Sequence, residues 1–291
     1  MLKRGCSLFV NRSSGGYSEA KVSAIVDSLR RGGVDARLVS PNTAHEMEKA
    51  VQAACSGNDS PLLIVVGGDG TVNTVVNGIV GNGATIGYIP LGTANVLAHE
   101  LGIDSVETAV KLIIRGDSRE CSIGLVRTPH STRRFLLMAG VGFDGQVVHG
   151  VTSRLKRSLG KGAYVVSALR GFFRWDCRQL RVVAGDEALS CHSVIFCNAS
   201  RYGGNIVLAR EASLFNHGLI AICIQPCRRF SWIIAVLRLI LGKGRAVPGC
   251  SLLSGDNFVV QGVKAVQLDG DSAGFSPLTV CTEPGILRII C

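Results

Sequence analysis

Leu62-Leu63-Ile64-Val65-Val66-Gly67-Gly68-Asp69-Gly70-Thr71-Val72-Asn73 is the stretch whose reading decides the fold. Residues 62–66 form a continuous apolar run of the kind buried on both faces of a parallel sheet. Three glycines, a carboxylate and two hydrogen-bonding side chains follow it, and a helix is expected over 71–80. Glycine lets the backbone turn sharply and approach a ligand with no Cβ in the way. The N–H groups of such a turn and of the helix start suit phosphate. Ligands bind at this edge of open α/β sheets, so Gly67, Gly68, Asp69, Gly70, Thr71, Val72 and Asn73 read as a phosphate loop. The loop is not G-x-G-x-x-G. A P-loop is also absent, because Gly160-Lys161 and Gly242-Lys243 are each followed by glycine.

The pattern repeats outward from this loop. Residues 6–10, 36–39 and 85–89 read as strands. A helix over 17–31 places Val22, Ile25, Val26 and Leu29 on one face and stops at Gly32-Gly33. Thr43 and Glu46 have capping-box spacing, opening a helix with Met47, Ala50, Val51 and Ala54 on one face, and 104–115 reads as another helix. Alternating strands and helices predict a doubly wound α/β domain. Two further polar loops follow strands: Asn11-Arg12-Ser13-Ser14-Gly15-Gly16 and Pro90-Leu91-Gly92-Thr93-Ala94-Asn95. In such a sheet these loops gather at one edge and suggest a single nucleotide cleft.

After about residue 120 short strands follow one another: RFLLMAG, RQLRVVA, SVIFCNA, LIAICIQ, NFVVQG and KAVQLDG. This pattern predicts an antiparallel β-sandwich, interrupted by helical segments over 153–174 and 228–241. The domains are therefore 1–122 and 123–284. By itself Asp269-Gly270 is a favoured type I′ hairpin pair.

The chain has 291 residues, 47% of them apolar and 18% charged, with a net charge of +10. That composition excludes a disordered chain, and the 36 glycines follow no collagen period. The positive charge points to an anionic partner: nucleic acid, a membrane surface or a phosphorylated ligand. Aromatic content of 5% argues against a base-stacking single-strand binder. Eleven scattered cysteines without a C-x-x-C pair read as buried free thiols. The histidines show no metal-ligand spacing. The apolar run 230–241 is too short to span a bilayer and is broken by Arg238, and the N-terminal apolar segment 6–10 is shorter than a signal-peptide core. A cytoplasmic location is expected. Basic residues cluster with Phe172, Phe173 and Trp175 in 154–181, and with Phe230, Trp232 and Ile233 in 228–245. Such segments are either membrane-interface helices or solvated faces over a core stripe.

GGDGTVN (67–73), PLGTAN (90–95), NRSSGG (11–16) and LDGD (268–271) together resemble the diacylglycerol kinase catalytic-domain family, which holds bacterial soluble lipid kinases and the sphingosine and ceramide kinases. The resemblance covers essentially the whole chain. It implies a kinase using ATP and Mg²⁺ to phosphorylate a diacylglycerol-like or sphingoid hydroxyl. Asn11, Arg12, Ser13, Ser14 and Gly15 would lie against the nucleotide, with Arg12 where the family has proline. Ser40 and Thr93 match further nucleotide-site hydroxyls, and the 67–73 loop would cradle phosphates. The family's general base falls on Asp271, where Asp replaces Glu and reaches roughly 1.5 Å less. Asp69 is the second catalytic candidate. In Ala212-Ser213-Leu214-Phe215-Asn216-His217-Gly218 the family's magnesium-binding Asp is missing, leaving Asn216 as a poor ligand for an auxiliary ion. Residues 285–291 would return to the first domain.

The partners implied are a lipid substrate at an anionic membrane surface, reached peripherally from the cytoplasm, and no nucleic acid; a homodimer stays open. Two rival readings are a small-molecule kinase such as one acting on NAD, and a non-catalytic nucleotide or anionic-lipid binder.

Overall fold

Chain contacts in the computed structural model, which describes residues 4–57, 60–81, 83–151, 162–242 and 247–291, divide the protein into two units. One is residues 1–123 with 203–205 and 283–291, and the other is 124–202 with 206–282.

The first unit alternates strand and helix: β1 (Arg4–Val10), α1 (Glu19–Arg31), β2 (Val34–Val39), α2 (Ala44–Cys55), β3 (Leu62–Gly67), α3 (Asp69–Gly78), β4 (Ala84–Pro90), α4 (Val96–Glu100) and α5 (Val106–Arg115). The strands are parallel in the order β2-β1-β3-β4. Every residue of β3 is buried, as its unbroken apolar run requires. Helix starts follow local chemistry. Ser18 caps α1 by accepting from the Lys21 N–H, so the helix begins at Glu19 rather than 17. Thr43 caps α2 through the Glu46 N–H, and Glu46 accepts from the Asn42 N–H at 3.0 Å, one residue outside the usual capping box. Helix α3 begins two residues earlier than its periodicity predicts, and the five-residue α4 lacks the length to show a period.

β5 (Ser118–Arg127) runs from the first unit into the second, which continues with β6 (Thr132–Phe135), β7 (Met138–Val141), α6 (Phe143–His149), α7 (Gly162–Phe173), β8 (Leu180–Ala184), β9 (Glu187–Cys191), β10 (Ser193–Cys197), β11 (Arg201–Tyr202), β12 (Ile206–Val207), β13 (Leu219–Ile224), α8 (Arg229–Leu241), β14 (Cys250–Gly255), β15 (Asn257–Gln261), β16 (Ala265–Leu268), β17 (Asp271–Phe275) and β18 (Leu278–Ile290). One antiparallel sheet has the order β14-β13-β10-β7-β16-β17. The other joins β18, β15, β8 and β9 antiparallel. Phe196 and Phe258, with ring centroids 5.1 Å apart, sit in an apolar core with Phe135, Val194, Val260 and Val280. This is the expected sandwich. The last part of β18 leaves it and pairs parallel with β4, Leu287 opposite Ala84 and Ile289 opposite Ile86.

One sequence expectation needs correction, another lies partly outside the described residues, and some elements were not foreseen. RFLLMAG is two strands, broken at Leu136-Leu137 because the Asp269 carboxylate takes the N–H groups of Leu136, Leu137 and Met138. The helical segment 153–174 is α7 from Gly162; its earlier part, with Arg154, Lys156, Arg157 and Lys161, lies outside the described residues, as do Lys243 and Arg245. α6, β9, β14 and β17 gave no clear period. All eleven cysteines are free and seven are buried. Among the described residues no helix is long and apolar enough to cross a membrane.

Candidate functional site

The residues predicted to form a phosphate loop sit at the carboxyl edge of the first unit's sheet, where four strand ends are tied to one another. After β1, the Asn11 N–H donates to Val66 O at 3.1 Å, and its side-chain amide donates to Thr71 Oγ1 at 2.9 Å. The other side-chain atom of Asn11 accepts from the Ser13 N–H at 2.9 Å and shapes the loop. After β2, Ser40 Oγ donates to Val10 O at 3.2 Å. After β4, Leu91 donates to Gly67 O at 2.8 Å and accepts from the Gly16 N–H at 2.9 Å. Thr93 is exposed, and its hydroxyl would lie 3.6 Å from a Cβ at Gly15.

Two glycines make the closest approach. A Cβ at Gly92 would stand 2.5 Å from Gly68 Cα and 2.6 Å from Asn95 Oδ1, so the two loops meet only because both positions lack one. Gly68 is also the N-cap of α3 and brings no side chain to it. The first-turn N–H groups of α3 therefore have no side-chain cap, which suits an incoming phosphate.

Asp69 faces the other way. Its carboxylate accepts from the Val96 N–H at 3.1 Å and the Leu97 N–H at 3.0 Å, capping α4 from a neighbouring loop. Asn95, in the left-handed region at φ 47°, opens that helix without capping it. The Tyr88 hydroxyl donates to Gly67 O at 3.3 Å and to Asn95 Oδ1 at 3.2 Å. Burial, with the Asp69 charge adding, pushes the Tyr88 phenol far above its ordinary value, so it stays a donor. Of the predicted loop residues, Val72 belongs to the buried core, so its side chain packs instead of meeting a ligand, and Thr71 and Asn73 are also buried. Arg12, Ser13 and Gly15 are exposed at the mouth and Ser14 is half-buried. Tyr88 was not singled out beforehand, and a tyrosine two residues before the Pro90–Asn95 loop is the signal that was available.

In the second unit, Leu268 pairs with Asp271 across a two-residue turn, with Asp269 at φ 49° and Gly270 at φ 88°. This is the hairpin geometry that Asp-Gly favours, and it carries functional candidates too. Asp269 accepts from the Leu136 N–H at 2.6 Å, Leu137 at 2.9 Å and Met138 at 2.8 Å. Asp271 is exposed and opens β17. Behind the turn, Gln267 Oε1 accepts from the Gly270 N–H at 2.7 Å, while Gln267 Nε2 donates to Asp144 Oδ2 at 2.7 Å. The Tyr202 hydroxyl donates to the other Asp144 oxygen. Burial pushes the Asp144 carboxyl above its ordinary value, against these two bonds that favour the charge. Gln267, Asp144 and Tyr202 went unnoticed in the sequence; an acid between apolar residues in Val141-Gly142-Phe143-Asp144 was the available hint.

Asn216 does not make a metal site. It is an exposed turn residue whose N–H donates to Ser213 O at 3.0 Å. It borders a cavity of about 280 Å³ with His217, Ser254 and Asp256. Among the described residues no three His, Cys, Asp or Glu side chains converge on a point that would hold a metal ion. An amide stands where the resemblance expects a carboxylate, so an auxiliary magnesium ion would lose one of the charged oxygen ligands that it prefers.

Residues 6–126 match the diacylglycerol kinase catalytic domain, and 138–291 match the YegS C-terminal NAD kinase beta sandwich-like domain. A diacylglycerol kinase of Bacillus subtilis is 29% identical over 172 residues, covering 58% of this chain and 55% of that protein. A Pseudomonas aeruginosa protein named "Probable lipid kinase YegS-like" is 29% identical over 234 residues, 78% of this chain and 75% of its own. Among solved structures, a diacylglycerol kinase from Bacillus anthracis superposes with a TM-score of 0.74 at 18% identity, covering 99% and 96% of the two chains. An NAD kinase from Archaeoglobus fulgidus, solved with ATP, superposes at 0.53 and 16% identity, covering 98% and 93%.

Proposed function

The chain belongs to the diacylglycerol kinase family and carries the YegS-type C-terminal domain, and from that premise we propose that it is an ATP-dependent lipid kinase. It transfers the γ-phosphoryl group of ATP to the hydroxyl of a diacylglycerol-like or sphingoid lipid. The observation that carries this reading is the glycine-on-glycine contact of Gly68 and Gly92 beside the start of α3, where no side chain caps the helix. Backbone N–H groups and a helix start are a fixed, unreorganised site for the nucleotide's phosphates.

A lipid hydroxyl becomes a competent nucleophile when a carboxylate takes its proton. Asp271 is the residue we assign that role, because it falls on the family's base position and is exposed at the start of β17; Asp69, whose carboxylate holds two backbone N–H groups, is the second candidate. Magnesium arriving with the nucleotide supplies neutralisation of the phosphate charge. Asn11, Ser13, Ser14, Gly15, Ser40 and Thr93 would shape the nucleotide mouth, and Arg12, exposed beside them, would meet phosphate charge. The enzyme would meet its acceptor at an anionic membrane as a peripheral cytoplasmic protein.

The test is a phosphorylation assay with γ-labelled ATP against a panel of diacylglycerol, sphingosine, ceramide and NAD. Label in a lipid supports the proposal. Label only in NAD replaces it with a nucleotide kinase, and ATP binding without transfer to any acceptor replaces it with a binding protein.

A further inference from the structure

Helices α7 and α8 are inside out. On α7 the buried positions are Ala163, Ser167 and Gly171, all small, while Val165, Leu169 and Phe173 project outward at intervals of four. On α8 the buried positions are Ala235 and Leu239, while Phe230, Ile234, Leu237 and Leu241 project outward. A helix of a soluble domain ordinarily turns its large apolar stripe to the core. Among the described residues these two helices carry seven of the fourteen exposed large hydrophobic side chains, with Phe173 at 76% and Leu241 at 80% exposure. The helices meet where Phe172 and Phe230 pack edge-on at 5.6 Å, and the Arg229 guanidinium lies 5.1 Å from the Phe172 ring centre. The two stripes therefore belong to one surface.

Its charge selects the occupant. Residues 162–175 and 228–242 contain five arginines (Arg170, Arg174, Arg228, Arg229 and Arg238) and no Asp or Glu. A second copy packed on the same face would set arginines against arginines, because a two-fold interface matches a patch with itself, and like charges so placed cost several kcal/mol. A layer that is apolar below and anionic at its surface satisfies both halves of the patch. We infer that α7 and α8 form a docking platform for an anionic lipid bilayer, with Phe173, Phe230 and Leu241 entering the acyl boundary and the arginines held at headgroup level. The choice of a bilayer rests in part on the lipid-acceptor reading above.

Sedimentation with phosphatidylcholine vesicles, with and without phosphatidylglycerol and in the absence of ATP, tests it. The full chain is expected to bind the anionic vesicles and release them as salt rises. Phe173→Ser with Phe230→Ser, and separately Arg170→Gln with Arg174→Gln, should each lower vesicle affinity at least about tenfold, given what burial of one Phe contributes. All four side chains lie at the surface, so melting curves should match wild type. Equal binding of neutral and anionic vesicles, or unchanged affinity in both pairs, would overturn the platform. So would a lipid-free dimer that the phenylalanine pair splits, which would make this face a self-interface. Vesicle binding without phosphorylation of any lipid keeps the platform and removes the kinase reading. Phosphorylation of detergent-dispersed lipid without vesicle binding does the reverse.

Discussion

Two acid-bearing glycine turns, one in each unit, use the same device. In the first unit Asp69 spends both carboxylate oxygens on the N–H groups of Val96 and Leu97. In the second, Asp269 spends its own on Leu136, Leu137 and Met138. Both aspartates are staples that hold a neighbouring segment in place. They differ in what the staple leaves over. The first turn leaves uncapped backbone N–H groups beside Gly68, which favour negative charge. The second is followed by Asp271, exposed at the start of β17, the residue proposed above as the base. An acid in a glycine turn is therefore not a catalytic residue by its company alone; where its oxygens are already engaged decides.

Asp271→Asn breaks the comparison most sharply. It keeps the size and removes the proton acceptor, so turnover should fall roughly a hundredfold or more while ATP affinity holds. Asp69→Asn should instead weaken ATP binding along with the rate, because it loosens the α4 cap beside the nucleotide loop. Full turnover in Asp271→Asn, with turnover lost at normal ATP affinity in Asp69→Asn, would exchange the two roles.

The staples themselves are next. Asp269→Ala leaves three backbone donors without their acceptor and should cost about 3 kcal/mol, against about 2 kcal/mol for the two donors of Asp69→Ala. Urea denaturation reads both. Equal, negligible losses would mean that water replaces the carboxylates and the turns are not held by them.

Acid separates the units further. His192 is buried in the second unit, stacked on Trp175 at 4.4 Å, with one ring nitrogen 2.7 Å from Asp176 O and the other 2.8 Å from Ser193 Oγ. Because Ser193 Oγ accepts from the Phe143 N–H, its hydroxyl is free to donate to the second nitrogen, and the neutral ring satisfies all partners. Burial, with the Lys264 charge, lowers its pKa to about 4. The unfolded chain therefore binds the proton first, and stability present above about pH 6.5 is lost as pH falls toward 4. The loss should be on the order of 2–3 kcal/mol, and His192→Gln should flatten it. Both tryptophans, Trp175 and Trp232, lie in this unit, so their fluorescence reports its unfolding alone. A flat profile between pH 7 and 5 in wild type would remove this assignment.

The smallest effect concerns Gln267, which links the Gly270 N–H to Asp144. Gln267→Leu should lower kcat about tenfold (the cost of a lost buried hydrogen bond), leaving the KM for ATP alone. A rise in that KM with kcat unchanged would place Gln267 in the nucleotide site instead.

The first unit was largely legible in sequence. The apolar run 62–66 and the three polar loops state a parallel sheet and the edge at which its polar loops gather, because strand burial and turn chemistry are local. The staples were not legible: Asp69 reaches 27 and 28 positions along the chain, and Asp269 reaches 131 to 133. No local pattern encodes a carboxylate's distant partners. The same limit hid the break in RFLLMAG, whose composition is that of one strand. The segments of α7 and α8 stood out in sequence only as clusters of basic and large apolar residues; which side chains face outward is set by packing on the sandwich and not by spacing.

Titration calorimetry of magnesium-ATP into wild type and Gly68→Val tests the central claim most directly. A Cβ at Gly68 would stand 3.1 Å from Gly92 Cα, and a branched side chain at this N-cap would crowd the start of α3, where the proposed phosphate site lies. Binding by wild type and its loss in Gly68→Val, with the variant still folded though lower melting because the two loops are forced apart, is the predicted result. Equal affinity in the two proteins would contradict the phosphate cradle and the kinase reading built on it.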